Sequence, residues 1–190
     1  MRRLIWVRHG PTHARGMVGW TDLPADLSDT ARITRLSDWL PDAARIVSSD
    51  LTRAVTTADV LQGDRARLPH DPALREMHFG DWEMRRAGEV MESHPHLSRA
   101  FWTDPGSACP PGGESWQDLT ARVARAVDAL LETPGDLVIV AHMGAILCHV
   151  AHATGLPPRE AIGHKVDPLS ATELRLTGNG WELVRINHVP

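Results

Sequence analysis

Two arginines and two histidines stand just after three predicted strands, although they are spread over more than 130 residues. Arg8 and His9 directly follow the first of these strands. Arg53 lies five residues after the second, and His142 directly follows the third. Because ligands of open α/β sheets bind beyond the carboxyl ends of the strands, we expect the four side chains to converge at one edge.

This set of residue types is suited to a phosphate ester. Arginine matches a phosphate group with bidentate, charge-assisted hydrogen bonds. A neutral imidazole is already a competent nucleophile near pH 7, and His9 is the candidate. A second imidazole, held protonated by the phosphate, would stabilise charge on the transferring group. Gly10 lets the backbone approach the ligand closely.

The leaving alkoxide of such a reaction also needs a proton donor, and Glu76 is the candidate. It lies in Leu74-Arg75-Glu76-Met77-His78, at the start of a long irregular stretch. A carboxyl group beside a bound phosphate keeps its proton more readily because of the like charge. Glu76 is therefore expected to act as general acid and, in a second step, as general base.

The elements that must position these residues alternate between strands and helices. Strands are predicted at residues 4–7, 45–48, 136–141, 171–176 and 181–189. Helices are predicted over residues 28–40, 50–62 and 144–154, and from a capping signal at Ser115 and Asp118 to a stop at Pro134-Gly135. This order predicts an α/β fold with three α/β/α layers and a mostly parallel central sheet.

Residues 69–113 fit this alternation poorly. They contain His94-Pro95-His96, Asp104-Pro105-Gly106 and Pro110-Pro111-Gly112-Gly113. Such a stretch is often a functional excursion from the core. We therefore predict a single domain over residues 1–190, with residues 69–113 as a small helical lid.

Bulk composition excludes several classes of protein. Of the 190 residues 42% are hydrophobic and 23% charged, which is typical of a globular domain, and the net charge of −4 argues against nucleic-acid binding. The four apolar residues before Arg8 are too few for a signal peptide, and no apolar run is long enough to cross a membrane. The two cysteines, Cys109 and Cys148, form no C-x-x-C motif, so a cytoplasmic location is expected.

Five ordered blocks of the sequence resemble a known family. Arg8-His9-Gly10-Pro11-Thr12 is similar to the R-H-G-[EP]-T signature of the histidine phosphatase (phosphoglycerate mutase-like) superfamily. The later blocks are Ser49-Asp50-Leu51-x-Arg53-Ala54, Glu76 with Phe79-Gly80-Asp81-Trp82-Glu83, Pro111-Gly112-Gly113-Glu114-Ser115, and Ala141-His142-Met143-Gly144. They follow the family's order and spacing up to about Pro157.

The resemblance implies a metal-independent phosphomonoesterase without a cofactor, acting on a small-molecule phosphate ester. His9 would carry the phosphoryl group, and Glu76 would donate the proton. The phosphate-binding residues implied are Arg8, Arg53, His142, Thr12, Met143 and Arg15. His142 would also be catalytic.

Four positions depart from the family pattern, one of them Ala31, which replaces a common glycine. Arg15 stands where the family often has asparagine, and Met143 replaces the usual glycine after the second histidine. The Met143 backbone N–H can still serve, whereas its side chain narrows the pocket. Leu147 replaces a common arginine, which is expected to change what lies beyond the phosphate.

Three alternatives stay open at this point. A phosphoglycerate mutase would exchange phosphoryl groups rather than hydrolyse them, although the extra loop region of such mutases is not found. A phosphoprotein-binding module would use the same pocket without turnover. A metalloenzyme could use His149 and His152 or His94 and His96, but neither pair forms H-E-x-x-H. The substrate and the oligomeric state do not follow from the sequence.

Overall fold

A computed structural model describes residues 2–190, which form one six-stranded sheet flanked by helices. The strands are β1 (Arg2–Arg8), β2 (Arg45–Ser48), β3 (Ala66–Arg67), β4 (Leu137–Ala141), β5 (Ala171–Thr177) and β6 (Gly180–His188). Their spatial order is β3-β2-β4-β1-β5-β6. Strands β1 to β4 run parallel, and β5 and β6 are antiparallel additions at one side. The predicted α/β class with a mostly parallel sheet is confirmed.

The central strands are buried on both faces, which explains their continuous apolar runs. In β1, Leu4 and Trp6 belong to one core cluster, whereas Ile5 and Val7 belong to the cluster on the opposite face. Strand β4 alternates in the same way. Because successive side chains of a strand point to opposite faces of the sheet, each strand contributes to two separate cores. The sheet is therefore the middle of three layers.

Seven helices cover the two faces of the sheet. They are α1 (Thr30–Trp39), α2 (Thr52–Leu61), α3 (Ala87–Ser93), α4 (Pro95–Thr103), α5 (Trp116–Leu131), α6 (Met143–Thr154) and α7 (Pro158–Ile162). Helices α1 and α2 pack into one core cluster, and α3 to α7 into the other. Within residues 2–190, no helix is long and apolar enough to cross a membrane.

Local capping signals set some helix ends as predicted. The Ser115 hydroxyl accepts the Asp118 N–H at 3.1 Å, and the Asp118 carboxylate accepts the Ser115 N–H at 3.0 Å, so α5 starts with a capping box. Helix α6 ends at Gly155, whose φ of 72° is left-handed.

Other helix starts differ from the prediction. The predicted start of α1 at Ser28 is wrong, since Asp29 is the N-cap and accepts the Arg32 N–H at 3.0 Å. Helix α2 begins at Thr52 rather than at residue 50. There Asp22, 30 residues earlier in the chain, accepts the Thr52 N–H at 2.8 Å and its hydroxyl at 2.7 Å.

Two short elements, β3 and α7, were not predicted. Strand β3 has two residues and α7 has five, with Pro158 in its first turn. Neither is long enough to show a period of 2 or 3.6.

Residues 69–113 contain α3, α4 and two 3-10 turns, at Pro72–Leu74 and Gly80–Trp82. The segment packs into the same core as α5 and α6 through Leu74, Met77, Trp82, Val90 and Phe101. It therefore forms one wall of the domain. That it acts as a lid stays a prediction.

Candidate active site

The two histidines meet at the carboxyl ends of adjacent parallel strands. Arg8 pairs with Ala141 in the register of β1 and β4, and the His9 N–H donates to the Ala141 carbonyl at 3.0 Å. His9 and His142 therefore leave the sheet side by side, and their ring centroids lie 5.1 Å apart. Both rings are buried.

The hydrogen bonding of His9 selects one tautomer. Its Nδ1 lies 2.7 Å from the Gly10 carbonyl oxygen, which can only accept, so Nδ1 carries the hydrogen. In the neutral ring Nε2 then keeps its lone pair. Burial, assisted by the positive charge of Arg53, lowers the pKa of His9 to about 3, so the ring is neutral at pH 7.

His142 differs from His9 in having no hydrogen-bond partner. Neither Nδ1 nor Nε2 is bonded to any of residues 2–190, although the side chain is fully buried. Burial first, then His9 and Arg53, hold the pKa of His142 well below its ordinary value of 6.5. Since buried polar groups are nearly always satisfied, these ring nitrogens mark a place for a ligand.

Arg8 enters the same site from the end of β1. Its Nη1 donates to the Val166 carbonyl at 2.6 Å, while its buried Nε has no partner among the described residues. Burial lowers the pKa of Arg8, and the nearby Glu76 carboxylate partly offsets this effect. The guanidinium nevertheless stays charged at pH 7.

Arg53 lies in the first turn of α2 and is completely buried. Its Nη1 donates to the Thr21 carbonyl at 2.9 Å and its Nη2 to the Gly19 carbonyl at 2.6 Å. Both acceptors are neutral, and Nε has no partner within residues 2–190. The loop that contains Gly19 and Thr21 thus orients the guanidinium. Because its carbonyl groups are neutral, they do not compensate the positive charge of Arg53.

Glu83 holds that loop in place. Its carboxylate accepts five hydrogen bonds, from the backbone N–H groups of Gly19, Trp20, Thr21 and Phe79 and from the Thr21 hydroxyl. Burial raises the pKa of Glu83, but these donors outweigh burial and the net shift is downward. Sequence reasoning gave Glu83 no role, although it closes the motif that begins at Phe79.

Glu76 lies against the N-terminus of α6 and is 8% exposed. Its Oε1 accepts the Met77 N–H at 2.9 Å, and its Oε2 accepts the Gly144 N–H at 3.0 Å. A Cβ at position 144 would collide with this carboxylate, so only glycine allows the approach.

The backbone of Glu76 is fixed from outside the site. Its carbonyl accepts the Trp20 Nε1–H at 2.8 Å and an Arg122 Nη2–H at 3.1 Å. Arg122 also donates to the carbonyls of Ala73 and Arg75 and pairs with Glu114 at 2.8 Å. Sequence reasoning missed Arg122, because an arginine within an amphipathic helix carries no signal of such contacts.

Thr12, Arg15 and Met143 are the other predicted phosphate ligands, and like Arg8, Arg53 and His142 they stay predictions. Thr12 is half-buried and Arg15 exposed, and neither side chain hydrogen-bonds to the described residues. Met143 is the first residue of α6, so its N–H has no acceptor within the helix, and its side chain is 39% exposed. Leu147 lies about one helical turn after Met143 in α6 and is buried.

Other histidines have partners elsewhere. His13 is exposed and pairs with Asp26 at 2.8 Å, and His78 stacks edge-on against Trp20 with ring centroids 4.6 Å apart. Within residues 2–190, no three or more His, Cys, Asp or Glu side chains are grouped so that they could hold a metal ion.

Comparison with known proteins identifies relatives over nearly the whole chain. The profile of the histidine phosphatase superfamily (branch 1) matches residues 4–189. Glucosyl-3-phosphoglycerate phosphatase of Mycolicibacterium vanbaalenii is 38% identical over 173 residues, covering 83% of this chain and 76% of the relative. Adenosylcobalamin/alpha-ribazole phosphatase of Escherichia coli K12 is 30% identical over 194 residues, covering 97% and 90%. The solved structure of YhfR from Bacillus stearothermophilus superposes with a TM-score of 0.89 at 26% identity, covering 100% of this chain and 98% of that one.

Proposed function

This chain belongs to the histidine phosphatase superfamily, and from that membership we propose that it hydrolyses phosphomonoesters through a phosphoryl group carried on His9. The observation that carries the proposal is the pair of buried imidazoles. His9 is neutral with its lone pair on Nε2, and it faces the unpartnered nitrogens of His142 at a centroid distance of 5.1 Å. Two phosphatases named above are its relatives.

Binding places the phosphate between the cations. Arg8 and Arg53 offer charge-assisted donors, and the Met143 N–H adds a donor at the positive end of α6. His142 is neutral in the protein alone, because burial and its cationic neighbours disfavour a second positive charge. A bound dianion reverses that local field, so the phosphate brings the proton onto His142.

In the first step, the Nε2 lone pair of His9 forms a bond to phosphorus while the bond from phosphorus to the ester oxygen breaks. Glu76 gives its proton to the leaving oxygen, which departs as an alcohol. The positive charge that develops on the His9 ring is stabilised through the Nδ1–H bond to Gly10.

In the second step, the Glu76 carboxylate takes a proton from water, and the water oxygen bonds to phosphorus. The bond from phosphorus to Nε2 breaks, the electron pair returns to His9, and inorganic phosphate leaves. Glu76 is then protonated for the next cycle.

The test is hydrolysis of p-nitrophenyl phosphate by chelator-treated protein beside the His9→Ala variant. We expect turnover to survive the chelator and to fall at least about a thousandfold in the variant, because the nucleophile is lost. His149→Gln is the matched control, since His149 is also buried but bonds to Trp6 outside the site. It should keep near-native turnover. Protein quenched in alkaline detergent after incubation with labelled substrate should lack the phosphoryl group only in His9→Ala, because the phosphorus–nitrogen bond of phosphohistidine survives alkali but not acid.

Each alternative has its own outcome in this test. Activity that is lost to the chelator, or that persists without His9, contradicts the proposal. Exchange between 2- and 3-phosphoglycerate that outpaces hydrolysis indicates a mutase. Tight binding of a phosphorylated protein with no turnover of any ester indicates a binding module.

A further inference from the structure

An apolar cavity opens beside Glu76. Its volume, measured over the positions open to the centre of a water molecule, is about 80 Å³. Its walls are mainly aromatic and aliphatic: Phe79, Phe101, Trp102, Trp116, Leu147 and Ile162. Glu76 is the one ionisable side chain among the described residues that line it.

The cavity is more than a gap between core side chains. Trp102 is 38% exposed and Met143 is 39% exposed, although both line it. Large apolar side chains that keep this much contact with water around a concave site are typical of a ligand-binding surface. The cavity is also walled by both α4 of the 69–113 segment and α6, which carries the phosphate site.

The chemistry directs one part of the substrate into this cavity. In-line displacement puts the His9 nucleophile and the leaving oxygen on opposite sides of phosphorus. The leaving oxygen must reach Glu76 for its proton, and Glu76 lines the cavity. The group attached to that oxygen therefore enters the apolar walls.

We infer, on the basis of the proposed function, that the substrates are phosphomonoesters of apolar alcohols whose hydrocarbon part fills this cavity. Among the described residues that line the walls, none is a cation that could pair with a second anionic group. A phosphorylated hydroxy acid would have to bury an unpaired carboxylate against these apolar side chains, which is costly. Leu147, where the family commonly has arginine, contributes to this apolar lining.

The test compares kcat/KM for ethyl, butyl and hexyl phosphate. These primary alcohols are nearly equal as leaving groups, so the series varies apolar contact and little else. Each buried methylene should raise kcat/KM by roughly fourfold until the cavity is full, which corresponds to about 0.8 kcal/mol. Hexyl phosphate should then exceed ethyl phosphate by roughly two-hundredfold if all four extra methylenes are buried, and should also exceed 3-phosphoglycerate.

A pair of variants locates the effect. Trp102→Ser should lower the ratio of hexyl to ethyl phosphate several-fold, because it removes one wall. Met91→Ser is the matched control, since Met91 is a 43% exposed apolar residue of α3 that does not line the cavity. Its ratio should equal that of the unmodified protein. Equal ratios in both variants would overturn the inference.

A binding measurement separates this inference from the proposed function. Hexylphosphonate and ethylphosphonate cannot be hydrolysed, and calorimetry gives their Kd values directly. An active enzyme with a flat alkyl series and equal phosphonate affinities would overturn the apolar substrate class and leave the phosphatase proposal standing. Much tighter hexylphosphonate binding without hydrolysis of any ester would support the cavity assignment and overturn the proposed function.

Discussion

Arginines gather at two places in the molecule, and only one of these clusters contains its own anion. The strand-end cluster consists of Arg8, His9, Arg53 and His142. The Glu173 cluster lies on β1, β5 and β6 and consists of Glu173 with Arg3, Arg175 and Arg185. Each contains a fully buried charged side chain, Arg53 in the strand-end cluster and Glu173 in the Glu173 cluster.

The Glu173 cluster is closed. Arg3 Nε lies 3.0 Å from Glu173 Oε1, and Arg175 Nη2 lies 3.4 Å from the same oxygen. Arg185 Nε lies 3.2 Å from Oε2, within ion-pair distance but without hydrogen-bond alignment. The three arginines are about one-third exposed, so water shares in their solvation. The charge of Glu173 is therefore balanced by side chains of the protein, without a ligand.

The strand-end cluster is open. Neither Arg8 nor Arg53 forms an ion pair among residues 2–190. Both carboxylate oxygens of Glu76 accept hydrogen bonds from backbone N–H groups. The Glu76 carboxylate favours the charged forms of both arginines, but it forms no direct ion pair with either, so a ligand can supply a directly paired anion. The difference between the clusters therefore separates a binding site from a structural one better than residue type does.

The largest effect that tests this comparison is the loss of one arginine from each cluster. Arg8→Met should lower kcat/KM for p-nitrophenyl phosphate by 10² to 10³, roughly the 3–4 kcal/mol of a lost charge-assisted contact to phosphate. Arg185→Met should change kcat/KM by less than about threefold. Steady-state kinetics on both variants measures the contrast. Equal losses would show that the comparison misassigns the clusters.

A smaller effect is expected on stability when the closed cluster loses its anion. Glu173→Gln leaves three arginines around a neutral group and should lower the free energy of unfolding by about 2 kcal/mol, less than for a fully buried pair because the arginines are partly solvated. Turnover of p-nitrophenyl phosphate should stay near native. Urea unfolding and kinetics on the same sample measure both quantities. A large loss of turnover with unchanged stability would contradict a purely structural role.

A third effect concerns pH and the buried His149. Its Nδ1 accepts the Trp6 Nε1–H at 3.1 Å, and burial lowers its pKa from 6.5 to about 3. Because the folded value is below the unfolded one, the unfolded state binds more protons between these pH values. The stability that neutral His149 contributes is thus fully present above pH 6.5 and is lost as the pH falls toward 3.

His149→Gln should therefore reduce the slope of unfolding free energy against pH in this window. The reduction is at most about 1.4 kcal/mol per pH unit. Urea unfolding at pH 7, 6, 5 and 4 measures the slope. His9 contributes to the same window and is unchanged in the variant, so part of the slope should remain. Identical slopes in both proteins would show that His149 does not titrate between the two states.

The sequence by itself determined the features that depend on neighbours along the chain. The apolar runs of β1 and β4 placed Arg8, His9 and His142 at strand ends, since each strand ends within one residue of the end of its apolar run. Ser115 and Asp118 marked the start of α5, and Gly155 the end of α6, because capping contacts span only three or four residues.

Only the tertiary structure decided how the site is held. Arg53 is oriented by carbonyls more than 30 residues away, Glu83 gathers N–H groups up to 64 residues away, and Arg122 fixes the Glu76 backbone across 46 residues. The start of α2 is likewise set by Asp22, 30 residues earlier. Helical and strand periodicities describe one element at a time, so contacts between loops of different elements leave no periodic trace in the sequence. The apolar cavity beside Glu76 has the same origin, since its walls come from several elements that meet only in the folded chain.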